Sequence, residues 1–179
     1  SANRVLDFTR GLVSYTRPSS REPVPVSLPG LVAQAVSYCD HVLDAARAQL
    51  TQEIEDDATV VRAVPQEIVQ VIVNLVTNAC HALPPEGGRI SIRATAIPKD
   101  GLEQVPRVRI VVKDNGHGIA REHLAHVFTP FFTTKGEGSG TGLGLAIVRS
   151  IVERSAGEIA VESEDGKGTA IILTLPAHV

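Results

Sequence analysis

Three stretches of the chain hold residue types able to do chemistry. The first, residues 66–83, has a helical pattern and is apolar almost all round, from Ile68 and Val69 through Leu75 and Val76 to Ala82 and Leu83. One stripe interrupts it. Glu67, Gln70, Asn74, Asn78 and His81 are spaced three, four, four and three apart, which puts them on one helical face. A buried amide without a partner costs about 1–3 kcal/mol. Two Asn one turn apart on such a helix therefore need partners, supplied either by a closed polar network or by a polar ligand or hydrated metal. The second stretch is Val111-Val112-Lys113-Asp114-Asn115-Gly116-His117-Gly118-Ile119. A carboxylate at the end of a strand accepts hydrogen bonds from an amino group, and the two glycines let the backbone approach a flat ligand. A simple turn explains the same residues. The third, residues 135–145, carries Gly136, Gly138, Gly140, Gly142 and Gly144 on alternating positions and leads into a helix. Bare N–H groups and a positive helix end cradle phosphate. Lys135 adds a point charge, and so glycine-rich a tract can close over a ligand; a flexible linker is the alternative. The tract matches neither the P-loop nor the dinucleotide fingerprint. Gly166-Lys167-Gly168-Thr169 tops a hairpin, where turn geometry alone accounts for two glycines.

The elements that must position these residues read as helices and mostly antiparallel strands. Residues 1–17 have a helical seam of Val5, Phe8, Leu12 and Tyr15, followed by a proline-rich linker from Pro18 to Pro25. Residues 24–27 suit an edge strand. Residues 28–50 are helical in pattern, with Leu31, Ala35, Tyr38, Val42 and Ala46 on one face. Strands are expected at 51–55 and 59–64 around an acidic turn, and Pro65 suits the first position of the next helix. That helix ends at Leu83, before Pro84-Pro85 and Gly87-Gly88. Strands at 89–97 and 107–113, a loop with a short helix near 120–127, a helix at 143–155 and a hairpin of 158–162 with 169–175 complete the chain. This order predicts an α+β fold, a two-layer sandwich of a mixed, mostly antiparallel sheet with helices on one face.

Composition narrows the function classes. The chain has 179 residues, 43% hydrophobic and 21% charged, enough for one domain plus a short appendage. A net charge of -3 gives no support to a nucleic-acid partner. No apolar run reaches the roughly 18–20 residues of a membrane span, and no signal peptide opens the chain. Cys39 and Cys80 lack metal-site spacing, and Cys80, in an apolar run, reads as core. A cytoplasmic fragment with no membrane contact of its own fits best, excised from a longer protein because Met is absent. Aromatics are only 3%, yet Phe128, Phe131 and Phe132 crowd together, which suggests a local device.

The order and spacing of these motifs resemble the catalytic ATP-binding domain of bacterial two-component sensor histidine kinases. Asn74-Leu75-Val76-Thr77-Asn78-Ala79 resembles the N box, and Asp114 to Ile119 the first glycine box. Phe128-Thr129-Pro130-Phe131-Phe132-Thr133-Thr134-Lys135 resembles the F box, Gly140-Thr141-Gly142-Leu143-Gly144-Leu145 the second glycine box, and residues 166–169 the last one. The Asn-Ala-Cys-His-Ala-Leu and Phe-Phe-Thr-Thr-Lys wording is most like the nitrogen-regulator (NtrB-like) subgroup. The resemblance implies the Bergerat sandwich of the GHKL superfamily, shared with DNA gyrase, the Hsp90 chaperone and MutL proteins. It implies residues 1–20 as the end of a dimerisation and phosphotransfer helix with its linker, and residues 21–179 as the ATP-binding domain.

Carried over by residue, the resemblance implies that Asp114 binds the adenine amino group, with Gly118 beside the ring and Thr169 supporting the contact. Gly116 and Ile119 belong to the same box. Asn78 holds Mg²⁺ and Asn74 sits near the phosphates. Gly140, Thr141, Gly142, Leu143, Gly144 and Leu145 wrap the triphosphate. Lys135 meets the outer phosphates, and Phe128 with its two neighbours anchors the lid. Asn74 and Lys135 are the catalytic pair. His81 stands where many family members have Lys, and Ala82 where an aromatic flanks adenine. The implied reaction moves the γ-phosphoryl of ATP to a histidine of the dimerisation domain, for relay to the aspartate of a response regulator receiver domain. The parent would be a homodimer through the upstream bundle. None of the six His precedes an acidic residue, as an acceptor His in this family does, so the acceptor is expected upstream. In hydrolases of this superfamily a Glu takes the position of Asn74, which cannot act as a base. The rivals are an ATPase of the same fold, a nucleotide-binding module without transfer, and an anti-sigma serine kinase.

Overall fold

The computed structural model describes residues 22–97, 106–134 and 140–178. The helix expected over residues 1–17 and the domain boundary at residue 20 lie outside them, as does Lys135. The described elements are β1 (Val24–Ser27), α1 (Leu28–Tyr38), α2 (Asp40–Ala45), β2 (Gln49–Ile54), β3 (Val60–Ala63) and α3 (Pro65–Ala82). They continue with β4 (Arg89–Ile97), β5 (Arg107–Asp114), α4 (Gly144–Arg154), β6 (Glu158–Glu164) and β7 (Gly168–Pro176). Short 3₁₀ turns occupy Asp56–Ala58 and Leu124–His126.

The alternation of apolar residues in three strands dictates the main sheet. Ile92, Val112 and Ile171 are in register across β4, β5 and β7, as are Ala94, Ile110 and Leu173. With Ile90, Val108 and Leu175 these side chains are buried, so one face of the sheet is a continuous apolar surface. The strand order is β2-β4-β5-β7-β6. Only β2 with β4 is parallel; the other pairs are antiparallel. A second, two-stranded sheet pairs β1 with β3. Helices close the apolar face: Ile68, Ile72 and Val76 from α3, Leu28 and Val32 from α1, and Val148, Ile151 and Val152 from α4 share one core cluster with it. The α+β sandwich is as expected. Burial of each such aliphatic side chain is worth about 1.5–3 kcal/mol, which fixes α3 and α4 against the sheet.

The expected single helix over residues 28–50 is the main departure. The helix breaks at Cys39, whose N–H bonds Val36 O at 2.8 Å, three residues back. Ser37 Oγ also competes for a backbone carbonyl, donating to Gln34 O at 2.8 Å. The buried face is also not the expected one. Leu28, Val32, Ala35, Cys39 and Leu43 become the buried set, and Tyr38, expected on the inner face, is 65% exposed. Residues 49 and 50 open β2 instead of ending a helix. The strands expected around the acidic turn also do not pair with each other. β2 joins the main sheet and β3 joins β1, with the Asp56–Ala58 turn between them. The short helix near 120–127 is reduced to the 3₁₀ turn. The remaining elements lie within two residues of expectation, and Pro65 does open α3. No helix of the described residues is long and apolar enough to cross a membrane.

Cys39 and Cys80 are both buried and free. Burial, and then the neighbouring Cys39, push the Cys80 thiol from 9.0 up to about 11. In that interval the unfolded chain has released a proton that the folded chain still holds. The contribution of Cys80 to stability therefore falls as pH rises from 9.0 towards 11. Urea midpoints measured below pH 9.0 and near pH 11 should fall further in the wild type than in Cys80→Ala. Equal falls would show that the thiol is not held neutral by the fold.

Candidate functional site

The polar stripe of α3, the end of β5 and the start of α4 surround a cleft of 660 Å³. At one end stands Asp114, the last residue of β5 and 7% exposed. Its Oδ1 accepts the N–H of Gly116 at 2.7 Å and of Thr169 at 3.3 Å. Burial raises the carboxyl's pKa above the usual carboxylate value, while those two N–H groups and the charge of His117 pull it down. Two glycines permit this arrangement. Gly118 has φ of +73°, and a Cβ there would lie 2.1 Å from Glu164 O. Gly168 has φ of +99°, and a Cβ there would lie 2.1 Å from Asp114 O. The Gly116–Gly118 loop and the β6–β7 hairpin thus interlock, backbone against backbone, and Gly166 N bonds His117 O at 2.7 Å.

At the other end, Asn74 and Asn78 face the beginning of α4. A Cβ on Gly144 would lie 3.4 Å from both Asn74 Oδ1 and Asn78 Nδ2. The first turn of α4 has N–H groups without intrahelical partners and the positive end of the helix dipole. Thr141 Oγ1 accepts the Leu143 N–H at 3.4 Å, leading the backbone into that turn. A carboxylate at one end, with amides and a helix N-terminus at the other, can take an amino-bearing ring and an anionic tail together.

Most of the sequence-expected residues meet here. Asn74, Asn78, His81, Asp114, Gly118 and Ile119 line the cleft, as do all of residues 140–145 and Thr169. Glu67 does not. It leaves the polar stripe to bond Arg154 at 2.8 Å, tying α3 to α4 beneath the cleft. Gly116 stands behind the lining, because a Cβ there would lie 2.4 Å from Ala82 O at the end of α3. Phe128 is also displaced. The turn after Leu124–His126 gives the cleft Val127, while Phe128 lines a separate groove of 390 Å³ beside Arg149, Glu153 and Glu158. Of the three clustered aromatics, Phe132 lines the cleft, its ring between His123 at 5.6 Å and His126 at 5.9 Å. Phe131 is 61% exposed, and its N–H bonds Gly142 O at 2.9 Å.

Sequence reasoning passed over three supports. Ser163 on β6 touches Ile119, Gly168 and Thr169 at once. Asn115 accepts the Arg89 N–H at 2.6 Å and donates to Gly87 O at 3.0 Å, clamping the start of β4 beside Asp114. His117 lines the cleft, and its N–H bonds Ala82 O at 2.9 Å. Only Asn115 had a signal, as the polar residue between an acid and a glycine at a strand end.

Comparison with known proteins shows the family and the fold. The family model described as "Histidine kinase-, DNA gyrase B-, and HSP90-like ATPase" matches residues 63–179. The chain is similar to the sensor histidine kinase ZraS of Escherichia coli, 35% identical over 99% of the chain and 36% of the relative. It is also similar to the sensor kinase CckA of Brucella abortus, 34% identical over 98% of the chain and 19% of the relative. The chain therefore spans about a third or less of these curated relatives. Their names reach sensor kinases in general and do not single out the nitrogen-regulator subgroup. Among solved structures, the nucleotide-free catalytic domain of histidine kinase ThkA aligns with a TM-score of 0.73 at 30% identity, covering 88% of this chain and 97% of that one. ThkA in complex with the response regulator protein TrrA gives 0.75 at 26% identity, over 99% and 48% of the two chains. Full-length ShkA in complex with AMPPNP gives 0.76 at 26%, over 99% and 35%.

The hydrogen bonds of Asp114 separate its charge from its shape. Asp114→Ala leaves the Gly116 and Thr169 N–H groups without an acceptor, and should cost about 1–3 kcal/mol of stability by urea denaturation. Asp114→Asn keeps an oxygen there. Because burial disfavours the ionised form, the charge opposes folding at neutral pH, and the Asn variant should be as stable as the wild type or more so. An Asn variant as unstable as the Ala variant would contradict this account.

Proposed function

Because the chain belongs to the histidine kinase-, DNA gyrase B- and HSP90-like ATPase family, we propose that its cleft binds Mg·ATP. In the parent protein it would serve as the catalytic domain of a sensor histidine kinase. The single observation that carries this reading is the polarity of the cleft. A desolvated carboxylate lies at one end, and the Asn74–Asn78 pair faces the α4 N-terminus at the other. Adenine places its amino group at Asp114 beside Gly118, and the phosphates lie along residues 140–144. Asn78 supplies a hard oxygen to Mg²⁺. Mg²⁺ keeps several waters and shares substrate phosphates, so one protein oxygen is enough to orient it. When bound, Mg²⁺ neutralises charge on the outer phosphates.

Transfer rather than hydrolysis is supported by what lies near the phosphate end. Asp114 is the only carboxylate among the described cleft residues, and it sits at the base end. Asn74 is an amide without a basic site, and Glu67 is held by Arg154. The chain's task is positioning and charge stabilisation. The imidazole nitrogen of a histidine on the upstream bundle attacks the γ-phosphorus, the bond to the β–γ bridging oxygen breaks, and ADP leaves. Lys135, outside the described residues, has the charge to meet the outer phosphates. The response regulator bound by ThkA supports a receiver-domain aspartate as the next acceptor.

Calorimetric titration with a Mg·ATP analogue should give a dissociation constant on the order of micromolar. In Asp114→Asn the binding should largely vanish while the fold persists. Labelled γ-phosphate should pass to an added dimerisation bundle, with little steady-state release of inorganic phosphate. Fast release without transfer would favour the ATPase reading, and equal affinity in both proteins would remove the adenine assignment.

A further inference from the structure

We propose that Ser163 sets the donor–acceptor polarity of the base end of the cleft and so makes it selective for a 6-amino purine over a 6-oxo purine. This rests on the nucleotide-binding reading above and deepens it. Ser163 itself does not line the cleft; Thr169, which it touches, does. The Ser163 hydroxyl accepts the Ile119 N–H at 2.9 Å, lies 2.8 Å from Gly168 O, and lies 2.9 Å from Thr169 Oγ1. A hydroxyl has one proton and two lone pairs. A carbonyl oxygen can only accept, so the Ser163 proton goes to Gly168. One lone pair takes the Ile119 N–H. The contact with Thr169 has only the other lone pair left, so Thr169 is its donor.

The proton of Thr169 is thereby turned out of the cleft, and its oxygen offers only lone pairs inward. Asp114, bonded to the Thr169 N–H, is likewise an acceptor. Both protein donors fall on its Oδ1, leaving the lone pairs of Oδ2 to the cleft. At Asp114 and Thr169 the base end therefore offers acceptors only. An exocyclic amino group brings two N–H donors to it. A 6-oxo group brings lone pairs against lone pairs, which a hydrogen-bonding site rejects because its polar groups stay unpaired. A threonine hydroxyl free to rotate would donate to the oxo oxygen and accept the exchange. Ser163 removes that freedom, which makes it a positioning residue acting through Thr169.

The test compares dissociation constants for Mg·ATP and the magnesium complex of inosine 5′-triphosphate in the wild type, Ser163→Ala, Ser163→Thr, Thr169→Val and the Ser163→Ala/Thr169→Val double variant. The wild type should prefer ATP by about tenfold or more, since the oxo base retains an N1–H for Asp114 and discrimination is graded. Ser163→Ala should reduce that preference about fivefold or more, chiefly by retained or tighter binding of the inosine nucleotide. Ser163→Thr, which keeps the hydroxyl, should preserve it. In the Thr169→Val background the Ala substitution should change the ratio no further. A merely structural role would weaken both nucleotides together and leave the ratio unmoved, which would overturn the proposal. If Ser163→Ala does not fold, Ser163→Cys, with a weakly bonding thiol of similar shape, carries the same expectation. A wild type that binds both nucleotides equally overturns this inference alone; one that binds neither removes the nucleotide-binding reading with it.

Discussion

A carboxylate kept almost dry at the end of a strand is the constraint around which the site is built. Asp114 is 7% exposed, and its ionisation is opposed by burial and eased by two backbone N–H groups and the charge of His117. Those N–H groups belong to Gly116 and Thr169, on segments far apart in the chain. Both must be brought to one oxygen, which requires the loop after β5 and the start of β7 to approach without side chains between them. Gly118 and Gly168 provide that, each in a backbone region where a Cβ would collide with a carbonyl oxygen. Remove the acid and the interlocked loops lose their common acceptor; remove either glycine and the acid loses its seat.

The second half of the site depends on one helix doing two jobs. α3 buries Ile68, Ile72 and Val76 against the sheet and turns Asn74 and Asn78 towards the first turn of α4. The ion pair between the buried Glu67 and the exposed Arg154 ties the two helices together below that point. An ion pair with one partner 11% exposed costs desolvation as well as gaining attraction, and its clearest effect is to fix one register of α3 against α4. That register decides how far the amides lie from the helix N-terminus, and hence the width of the phosphate end.

Much of this was legible in the residues. The three-and-four spacing on residues 67–81 places Asn74, Asn78 and His81 on the cleft, and the strand-end acid and alternating glycines meet there as well. Local patterns carry such features because each depends on one element's own periodicity. What was not legible depended on two elements at once. Glu67 belongs to the same stripe by spacing, and only the position of Arg154 on α4 takes it out. Phe128 and Phe132 are four apart and read as one cluster, yet the turn between them, with Phe131 at φ of +67° and Phe132 N bonded to Thr129 O, sends them to different grooves. Tyr38 shares a helical spacing with Leu31 and Ala35, but the sheet takes the neighbouring stripe of Leu28, Val32, Ala35 and Cys39, which leaves Tyr38 in solvent. Ser163 is an ordinary serine in an exposed-edge hairpin until β7 lays Thr169 beside it.

The bond between Phe131 N and Gly142 O joins the aromatic segment to the glycine tract by main chain alone, so no side-chain substitution at either position deletes the donor or the acceptor except proline at Phe131. A Cβ on Gly142 would lie 2.4 Å from the Phe131 carbonyl carbon, so the two backbones meet with no room for a side chain at residue 142. Phe131, itself 61% exposed, is thereby fastened through its main chain to a residue of the inner wall, so the outer aromatic segment and the lining of the cleft share one hydrogen bond.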